Sequence, residues 1–408
     1  MAEVPVVQIL DKKNYFKQAL VPLPNAFPLP PLADSSLRIR TEVLSLTSNN
    51  FGYAKIGDFF GWWGVHPIPP SAPAPYNDAS VYGRTNCWGY AKVLESTFSD
   101  VPKGSYIWGY LPIGTLPLDF QVKQATAPNQ FIATEPYRQS LLHVYNRYFV
   151  LPESIGKEIE NKTDGIAYDA LVRVMHLTAY LMTEFMFPED PKQSVYLNPE
   201  QADLTDATII NFAPGSKVGL AFTHLLKNER NATKPRRVLG AASDYSRDFV
   251  RNTGLYDDVV STSSDPLDLL SRHETPKDQK VVIYDFGGRA GVARKWASAI
   301  KAAYPKVQFV NVGIEISDPS VALSLPSSDP KGIDVSQVNA GDLLVRAMGK
   351  AGEVEYFKGL NASWERLREQ GFKGLKVNWG EGMEAVKDGW DRLARNEVQS
   401  DEGLVFKL

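Results

Sequence analysis

Thiols are nearly absent from this chain. Cys87 is the single cysteine among 408 residues, which excludes an internal disulfide framework. No run approaches the roughly 18–20 apolar residues of a membrane helix, and the N-terminus lacks the charged-then-apolar order of a signal peptide. The chain also lacks a large excess of charge of either sign, because 44 Lys and Arg nearly balance 47 Asp and Glu. We therefore expect a cytoplasmic protein whose partners are neither membranes nor nucleic acids.

Metal ligands are scarce as well. Zinc sites take three or four nitrogen or sulfur ligands, whereas the five histidines are scattered along the chain. The one adjacent His-Glu pair, His273-Glu274, falls in a polar loop, where a solvated role is the simpler interpretation. The sequence also lacks a Gly-x-Ser-x-Gly nucleophile turn. These absences predict a metal-free protein without a serine nucleophile.

The most informative stretch covers residues 208–222. It is an apolar strand, then a turn of small residues, then the start of a helix. Proteins that bind dinucleotides direct the backbone N–H groups of such a helix start at the pyrophosphate. The fingerprint has three glycines, whose places are taken here by Ala213, Ser216 and Gly219. The residues predicted to contact a cofactor are Ala213, Pro214, Gly215, Ser216, Lys217 and Val218.

Strands and helices alternate after this turn. The predicted strands cover residues 236–243, 259–260, 280–288 and 307–314. Such alternation predicts a parallel sheet covered by helices, whose ligands lie beyond the carboxyl ends of the strands. Phe286 and Gly287 lie at such an end and are predicted to contact the cofactor. After Ser317 the alternation is expected to stop.

The first third of the chain has a different pattern. Residues 37–46 alternate like a half-buried strand, and further short strands at 88–95 and 105–110 are separated by turns. This region predicts an all-β, barrel-like domain. A long helical stretch at 164–187 would connect it to the parallel sheet. A terminal strand at 403–408 is expected to return to an earlier sheet.

Four motifs carry a family resemblance. Gly254-Leu-Tyr-Asp-Asp-Val-Val260 and Tyr284-Asp-Phe-Gly-Gly288 resemble two strand-end motifs of the medium-chain dehydrogenase/reductase superfamily. Thr47-Ser-Asn-Asn-Phe-Gly-Tyr-Ala54 and Tyr145-Asn-Arg-Tyr148 look most like one branch of it, described as a domain of unknown function in bacteria and fungi. The resemblance implies an α/β protein with a GroES-like β-barrel domain and a Rossmann domain, a doubly wound parallel sheet.

The resemblance also implies the domain limits and the class of chemistry. The barrel domain would cover residues 1–165, completed by 345–408, and the Rossmann domain residues 166–344. The zinc-free members that this chain resembles are quinone and enoyl reductases. Many members of the superfamily dimerise by joining sheet edges, so residues 307–314 are a possible homodimer edge, although monomers also occur.

The end of the second predicted strand bears on the choice of cofactor. NAD-binding proteins usually place a carboxylate there, on the ribose hydroxyls. Ser243 takes that place here, and Arg247 one helical turn later suits a 2′-phosphate. This pair predicts NADP(H), with Asp244 as the counter-argument because it can rotate toward the ribose. The alternative is a surface role for Arg247, and likewise a solvated role for Lys217.

Tyr53 is the first candidate on the substrate side. It lies just after Asn49-Asn50, in the segment where the zinc-free enoyl reductases that the chain resembles present an acid or hydrogen-bonding side chain to the substrate carbonyl, and a phenol can supply a proton. The alternative is an ordinary packed tyrosine. The residues predicted to line an aromatic substrate pocket with it are Asn49, Trp62, Trp63 and Tyr76.

Two functions follow from these residues and this resemblance. The first is an NADP-dependent oxidoreductase, a zinc-independent reductase of an activated C=C or C=O bond in a small molecule such as an enone or quinone. The second is a protein of the same fold with a non-redox role, such as a nucleotide-binding scaffold or sensor, or a cyclase or isomerase. The departure of the turn from its fingerprint motivates the second function.

Overall fold

The computed structural model describes residues 3–288, 291–312 and 332–408. The chain divides into two compact units, the first running to Leu171 and including Lys376–Leu408, the second covering Val172–Leu375. The sequence placed these divisions at 165/166 and 344/345. The helices between 340 and 370 belong to the second unit because they pack on its first helix.

The N-terminal part of the first unit is mostly strand. Its strands are β1 (Val6–Asp11), β2 (Gln18–Pro22), β3 (Ser36–Leu46), β4 (Tyr82–Gly83), β5 (Asn86–Ser96), β6 (Tyr106–Pro112), β7 (Leu118–Gln124), β8 (Gln130–Ala133) and β9 (Arg147–Leu151). Its helices are α1 (Ser48–Lys55), α2 (Ile155–Glu160) and α3 (Asp164–Leu171). Short 3₁₀ turns lie at Trp62–Gly64, Pro136–Arg138 and His143–Asn146.

Six of these strands close into a barrel. The order is β3-β5-β6-β9-β8-β7, and β7 pairs back onto β3. The core holds aliphatic side chains of alternate strand positions together with Trp63, Tyr148 and Trp390. Strands β1, β2 and β4 form a separate three-stranded sheet over a small core of their own. The predicted GroES-like barrel is confirmed.

The second unit alternates strands with helices. Its helices are α4 (Arg173–Leu181), α5 (Pro199–Ala202), α6 (Lys217–Asn228), α7 (Asp244–Thr253), α8 (Pro266–Arg272), α9 (Val292–Lys301), α10 (Ala340–Ala351) and α11 (Glu353–Gln370). Its strands are β10 (Thr208–Phe212), β11 (Arg237–Ala242), β12 (Asp258–Ser261), β13 (Val281–Asp285), β14 (Val307–Asn311) and β15 (Asp334–Gln337).

The strands of the second unit form one parallel sheet. Their order is β12-β11-β10-β13-β14-β15, and every pairing is parallel. From β10 the chain adds β11 and β12 on one side, and it then crosses over to add β13, β14 and β15 on the other side. The order of strands therefore reverses between β10 and β13, and ligands bind at this point on such sheets. Strands β10 and β13 are buried at every position and mostly apolar, as expected for a sheet covered on both faces. The predicted Rossmann fold is confirmed.

Three details differ from the sequence expectation. The alternation does not stop after Ser317, because β15 adds a sixth strand beside β14. Strand β14 is therefore internal and not a free edge for a second copy; positions 313 and 314 lie outside the described residues. The helical stretch at 164–187 is broken at Val172, whose φ of −124° is not helical, and ends in a π-helical turn at Met182–Met186.

The chain returns to the first unit at its C-terminus. Strand β16 (Lys376–Glu381), helix α12 (Gly382–Ala394) and strand β17 (Glu402–Lys407) follow one another. Strand β17 pairs antiparallel with β3 and parallel with β16, so the expected return of the last strand is confirmed. Among the helices that the structure describes, none has the length and apolar character needed to cross a bilayer.

Candidate functional site

The loop between β10 and α6 has the geometry of a nucleotide-binding turn. Ser216 caps α6, its Oγ accepting a hydrogen bond from the Gly219 N–H at 3.1 Å. Because the first N–H groups of a helix have no partner within it, those of Lys217 and Val218 are available to an anion. The turn lies at the carboxyl end of β10, beside the strand where the sheet order reverses.

Two of the three fingerprint positions show why small residues stand there. A Cβ on Gly219 would lie 3.0 Å from Ser216 Oγ and 3.1 Å from the Ala213 carbonyl oxygen, so glycine is required. Ala213 has a left-handed φ of 49°, which costs a residue other than glycine roughly 1–2 kcal/mol. The turn therefore keeps the backbone path of the glycine fingerprint despite the alanine.

A tyrosine that the sequence analysis did not single out holds this turn. The Tyr256 hydroxyl donates to the Pro214 carbonyl at 2.9 Å. The same hydroxyl lies 3.0 Å from Thr223 Oγ1, which accepts from Asn211 Nδ2 at 2.9 Å. Tyr256 was visible in the family motif at 254–260, but its spacing from Pro214 gave no signal of contact. The network links the turn, β10 and α6.

The end of β11 carries the predicted specificity pair. Ser243 begins α7 and is exposed, with its Oγ 3.1 Å from Ser246 Oγ. Arg247 Nη1 lies 2.7 Å from Asp244 Oδ1. Its Nε is buried and makes no hydrogen bond within the described chain. Asp244 is thus paired with Arg247, and the guanidinium retains an unused donor.

Lys217 occupies the first position of α6. The side chain is half-buried, and burial lowers the pKa of its ammonium. No acidic partner for it occurs in the described parts of the chain. A cation at a helix N-terminus also opposes the helix dipole. Both costs are offset when an anion lies beside it.

The turn after β13 completes this end of the sheet. Asp285 Oδ1 accepts hydrogen bonds from the N–H groups of Gly287 at 3.1 Å and Gly288 at 2.6 Å. The Phe286 ring stacks on the Tyr284 ring, with the ring centroids 6.0 Å apart. One edge of the Phe286 ring lies close to the position that a side chain on Gly219 would occupy. Phe286 and Gly287 are thus brought to the same strand-end region as the turn after β10.

In the first unit, helix α1 positions Tyr53. Thr47 and Asn50 form a capping box at its start, and Asn50 Nδ2 donates to the Asn86 carbonyl at 2.7 Å, which ties the helix to β5. Tyr53 is 7% exposed. Its hydroxyl accepts a hydrogen bond from Trp88 Nε1 at 3.0 Å and interacts with the side chains of Tyr145 and Asn49. Burial raises the pKa of Tyr53 to about 12.

Aromatic rings surround this phenol. Three rings pack edge to face on the Tyr53 ring. The distances between ring centroids are 4.9 Å to Trp62, 5.1 Å to Tyr110 and 6.0 Å to Tyr145. Of the residues whose side chains interact with the Tyr53 hydroxyl, Asn49 is exposed and Tyr145 half-buried. The structure thus brings Tyr53, Asn49 and Trp62 together, with Tyr145 as a partner that the sequence analysis missed in this role.

Two predicted pocket residues lie elsewhere in the first unit. Trp63 belongs to the barrel core, with its ring directly against the backbone of Gly83. Tyr76 is half-buried, 5.3 Å from the Tyr82 ring, on the small core under β1. Neither contacts the Tyr53 ring cluster.

Metal-binding side chains do not gather in the described residues. No group of three or more His, Cys, Asp or Glu that could hold an ion occurs there. His273, from the adjacent His-Glu pair, instead places Nε2 3.1 Å from Asp258 Oδ2.

Comparisons with known proteins agree with this fold. Residues 44–399 match the model of a family described as Protein of unknown function (DUF2855). No curated protein matches the chain.

Solved structures match over the whole chain at low identity. The CurF ER cyclopropanase of the curacin A biosynthetic pathway is 11% identical, with a TM-score of 0.58 and 99% of each chain covered. A mutant form of enoyl thioester reductase from Candida tropicalis is 14% identical, with a TM-score of 0.57 and full coverage of both chains. A complex of Etr1p with NADP and crotonyl-CoA is 14% identical, with a TM-score of 0.58 and full coverage. The chain therefore shares its fold with these enzymes.

Proposed function

Because this chain belongs to the DUF2855 family of proteins of unknown function and has the fold of enoyl reductases, we propose that it is an NADPH-dependent, zinc-independent reductase of an activated C=C or C=O bond. The observation that carries the proposal is the cationic nucleotide turn. Lys217 has no acidic partner within the described residues, and Arg247 keeps a buried Nε donor without a partner there; both lie near the start of a helix at the carboxyl ends of the strands.

The charge arrangement favours the phosphorylated cofactor. Ser243 leaves the ribose position free of carboxylate, and the carboxylate of Asp244 is paired with Arg247. Arg247 Nε is then a donor for a 2′-phosphate. The Etr1p structure holds NADP on the same fold, which supports the choice of cofactor.

On the substrate side, Tyr53 is proposed as the proton donor. When bound, NADPH supplies the hydride for such a reduction. The phenol is protonated at neutral pH because its pKa is about 12. Its hydroxyl accepts from Trp88 Nε1, which leaves its own proton for a substrate carbonyl oxygen and stabilises the phenolate that forms.

A nucleotide titration tests this proposal. NADPH and NADH are titrated while energy transfer from tryptophan to the nicotinamide is followed. We expect NADPH to bind more tightly than NADH. Arg247→Met is expected to weaken NADPH binding by ~10–100-fold, since a hydrogen bond to a charged group contributes about 1.5–3 kcal/mol, and to leave NADH binding unchanged.

Arg272→Met is the matched control. Arg272 is an exposed arginine of the same unit, at the end of α8, so it repeats the change of charge away from β11. If both variants weaken NADPH binding equally, the effect depends on the overall charge of the protein and not on the position of Arg247. If neither NADPH nor NADH binds to the wild-type protein, the reductase proposal is contradicted.

A non-redox function is the second candidate. The strained Ala213 in place of glycine and the likeness to a structure named as a cyclopropanase favour it. Conversion of a substrate without net oxidation of NADPH, followed at 340 nm beside product analysis, would support this second function against the first.

A further inference from the structure

Two buried arginines lie in the barrel unit with little negative charge around them. Arg84, just before β5, is 3% exposed, and Arg138, in the 3₁₀ turn before β9, is 0% exposed. His66 is also fully buried and lies within electrostatic range of both guanidinium groups. The proposed reductase chemistry uses none of the three.

Arg84 is the least compensated of them. Its Nε and Nη2 are buried and have no hydrogen-bond partner in the described chain. Burial lowers the pKa of its guanidinium to about 10, and no carboxylate of the described residues opposes that effect. A buried charge with no partner costs several kcal/mol, so an empty site of this kind is unfavourable.

Arg138 is the second buried guanidinium, and Asn86 Oδ1 and Glu135 Oε2 are buried acceptors that lack a partner in the described residues. Arg138 Nη2 donates to the Tyr145 carbonyl at 2.7 Å and to Tyr148 Oη at 2.8 Å, while Nη1 is buried without a partner. Glu135 offsets part of the charge of Arg138. Burial and the two arginines lower the pKa of His66 well below its usual value. The His66 ring also interacts with the backbone of Tyr110, which opposes this lowering of its pKa.

We propose that Arg84 binds a small carboxylate-type anion inside the barrel unit. A planar carboxylate accepts two parallel bonds from a guanidinium fork and cancels a charge that a water molecule leaves in place. The two unused donors of Arg84, Nε and Nη2, form such a fork.

The chain connects Arg84 to the Tyr53 ring cluster. Arg84 lies just before β5, which begins at Asn86 and carries Trp88. Trp88 Nε1 is bonded to Tyr53 Oη. If the reductase proposal holds, the carboxylate is a group of the substrate itself; the other source is a free anion resident in the barrel.

Thermal unfolding of the full chain in formate is the test. Formate is raised stepwise, with a bulky sulfonate buffer anion keeping the ionic strength constant. A ligand that binds only the folded state raises Tm with the logarithm of its concentration, without reaching a plateau. We expect this rise for the wild type and its loss in Arg84→Met. A Tm independent of formate in the wild type would overturn the proposal and indicate bound water.

Arg38→Met is the matched control. Arg38 is 5% exposed in the same unit but is ion-paired with Asp119 at 2.7 Å and Glu95 at 2.9 Å. This variant should lose stability and keep the formate dependence; loss of that dependence in both variants would contradict a specific site. If Arg84→Met fails to fold, Arg84→Lys keeps the charge without the fork and is expected to show a weaker dependence.

Kinetics then separates the two sources of the anion. If the carboxylate belongs to the substrate, formate raises KM for an acidic enone without changing kcat, and the corresponding amide reacts poorly. If the anion is resident, formate leaves KM unchanged. This arm rests on the reductase proposal, whereas the unfolding test does not, so the failure of one is distinguishable from the failure of the other.

Discussion

At the scale of single residues, Tyr53 combines burial with a defined set of partners. Other buried tyrosines of this chain donate their hydroxyl to a backbone carbonyl, as Tyr148 does to Tyr110 at 2.7 Å and Tyr304 to Thr275 at 3.3 Å. The Tyr53 hydroxyl instead accepts from Trp88 and lies beside the side chains of Asn49 and Tyr145. An acceptor position at a phenol oxygen stabilises the phenolate that proton donation leaves behind. This distinguishes Tyr53 from a tyrosine with only a packing role.

Tyr53→Phe is expected to lower kcat by ~100-fold or more, in the range for loss of a general acid. The affinity for NADPH should stay within about twofold, because the nucleotide turn lies in the other unit. Steady-state rates beside a nucleotide titration check both. Since the pKa of Tyr53 is about 12, no ionisation of this group should appear in the pH profile near neutrality.

Tyr106→Phe is the control for that variant. Tyr106 is a buried tyrosine of β6, 7% exposed, that lies outside the Tyr53 ring cluster. Removal of the Tyr106 hydroxyl in this variant should leave kcat nearly unchanged. Equal activity of Tyr53→Phe and wild type would remove Tyr53 from the catalytic role.

At the scale of elements, the β10–α6 turn owes its shape to contacts from outside it. Gly219 and Ser216 set the local path, but the Pro214 carbonyl is held by Tyr256, which precedes β12. A turn with a strained alanine needs such support, because strained backbone persists only where surrounding contacts over-determine it. The network of Tyr256 supplies that support here.

Tyr256→Phe is therefore expected to destabilise the protein by about 1–2 kcal/mol, the cost of leaving buried polar groups without a partner. NADPH affinity should fall by roughly tenfold, since a mobile turn must be ordered on binding. Chemical denaturation and the nucleotide titration measure the two effects.

Tyr304→Phe provides the comparison. Tyr304 is a buried tyrosine of the same unit whose hydroxyl bonds to the Thr275 carbonyl at 3.3 Å. The Tyr304→Phe variant should lose some stability and keep the NADPH affinity of the wild type. An unchanged affinity in Tyr256→Phe would show that Tyr256 serves packing alone.

At the scale of the whole molecule, the two units have separate cores, and the first depends on a distant segment. Trp390 of α12 is 0% exposed in the barrel core, and its Nε1 donates to the Tyr15 carbonyl at 3.1 Å. Strand β17 adds to the barrel sheet beside β3. The barrel unit is thus complete only when the end of the chain has joined it.

Trp390→Ala is expected to destabilise the protein by about 3–5 kcal/mol, as removal of a large buried aromatic side chain does. Its NADPH affinity, measured well below the unfolding transition, should be unchanged. Trp364→Ala removes an equally buried tryptophan from α11 of the second unit and serves as the counterpart. A large loss of NADPH affinity in Trp390→Ala would contradict the independence of the two cores.

The sequence by itself determined the features that arise from short-range patterns. The strand, turn and helix at 208–228 follow from an apolar run, small residues and a capping serine, all within one stretch. The β-rich first third, the alternating elements of the second unit and the return of the last strand were also predictable, because periodicity and turn residues are local. From these the fold class and the place of the nucleotide turn follow.

Only the tertiary structure decided which distant residues meet. Strand β15 is four residues long and carries little pattern, so its pairing with β14 depends on the neighbouring strand. Tyr256 reaches Pro214 across 42 positions, and Trp63 and Tyr76 join cores instead of the Tyr53 rings. That Arg84 Nε and Nη2 find no hydrogen-bond partner among the described residues is likewise a property of their surroundings. Burial and long-range contact depend on the closed barrel and the assembled sheet, which no local window of sequence contains.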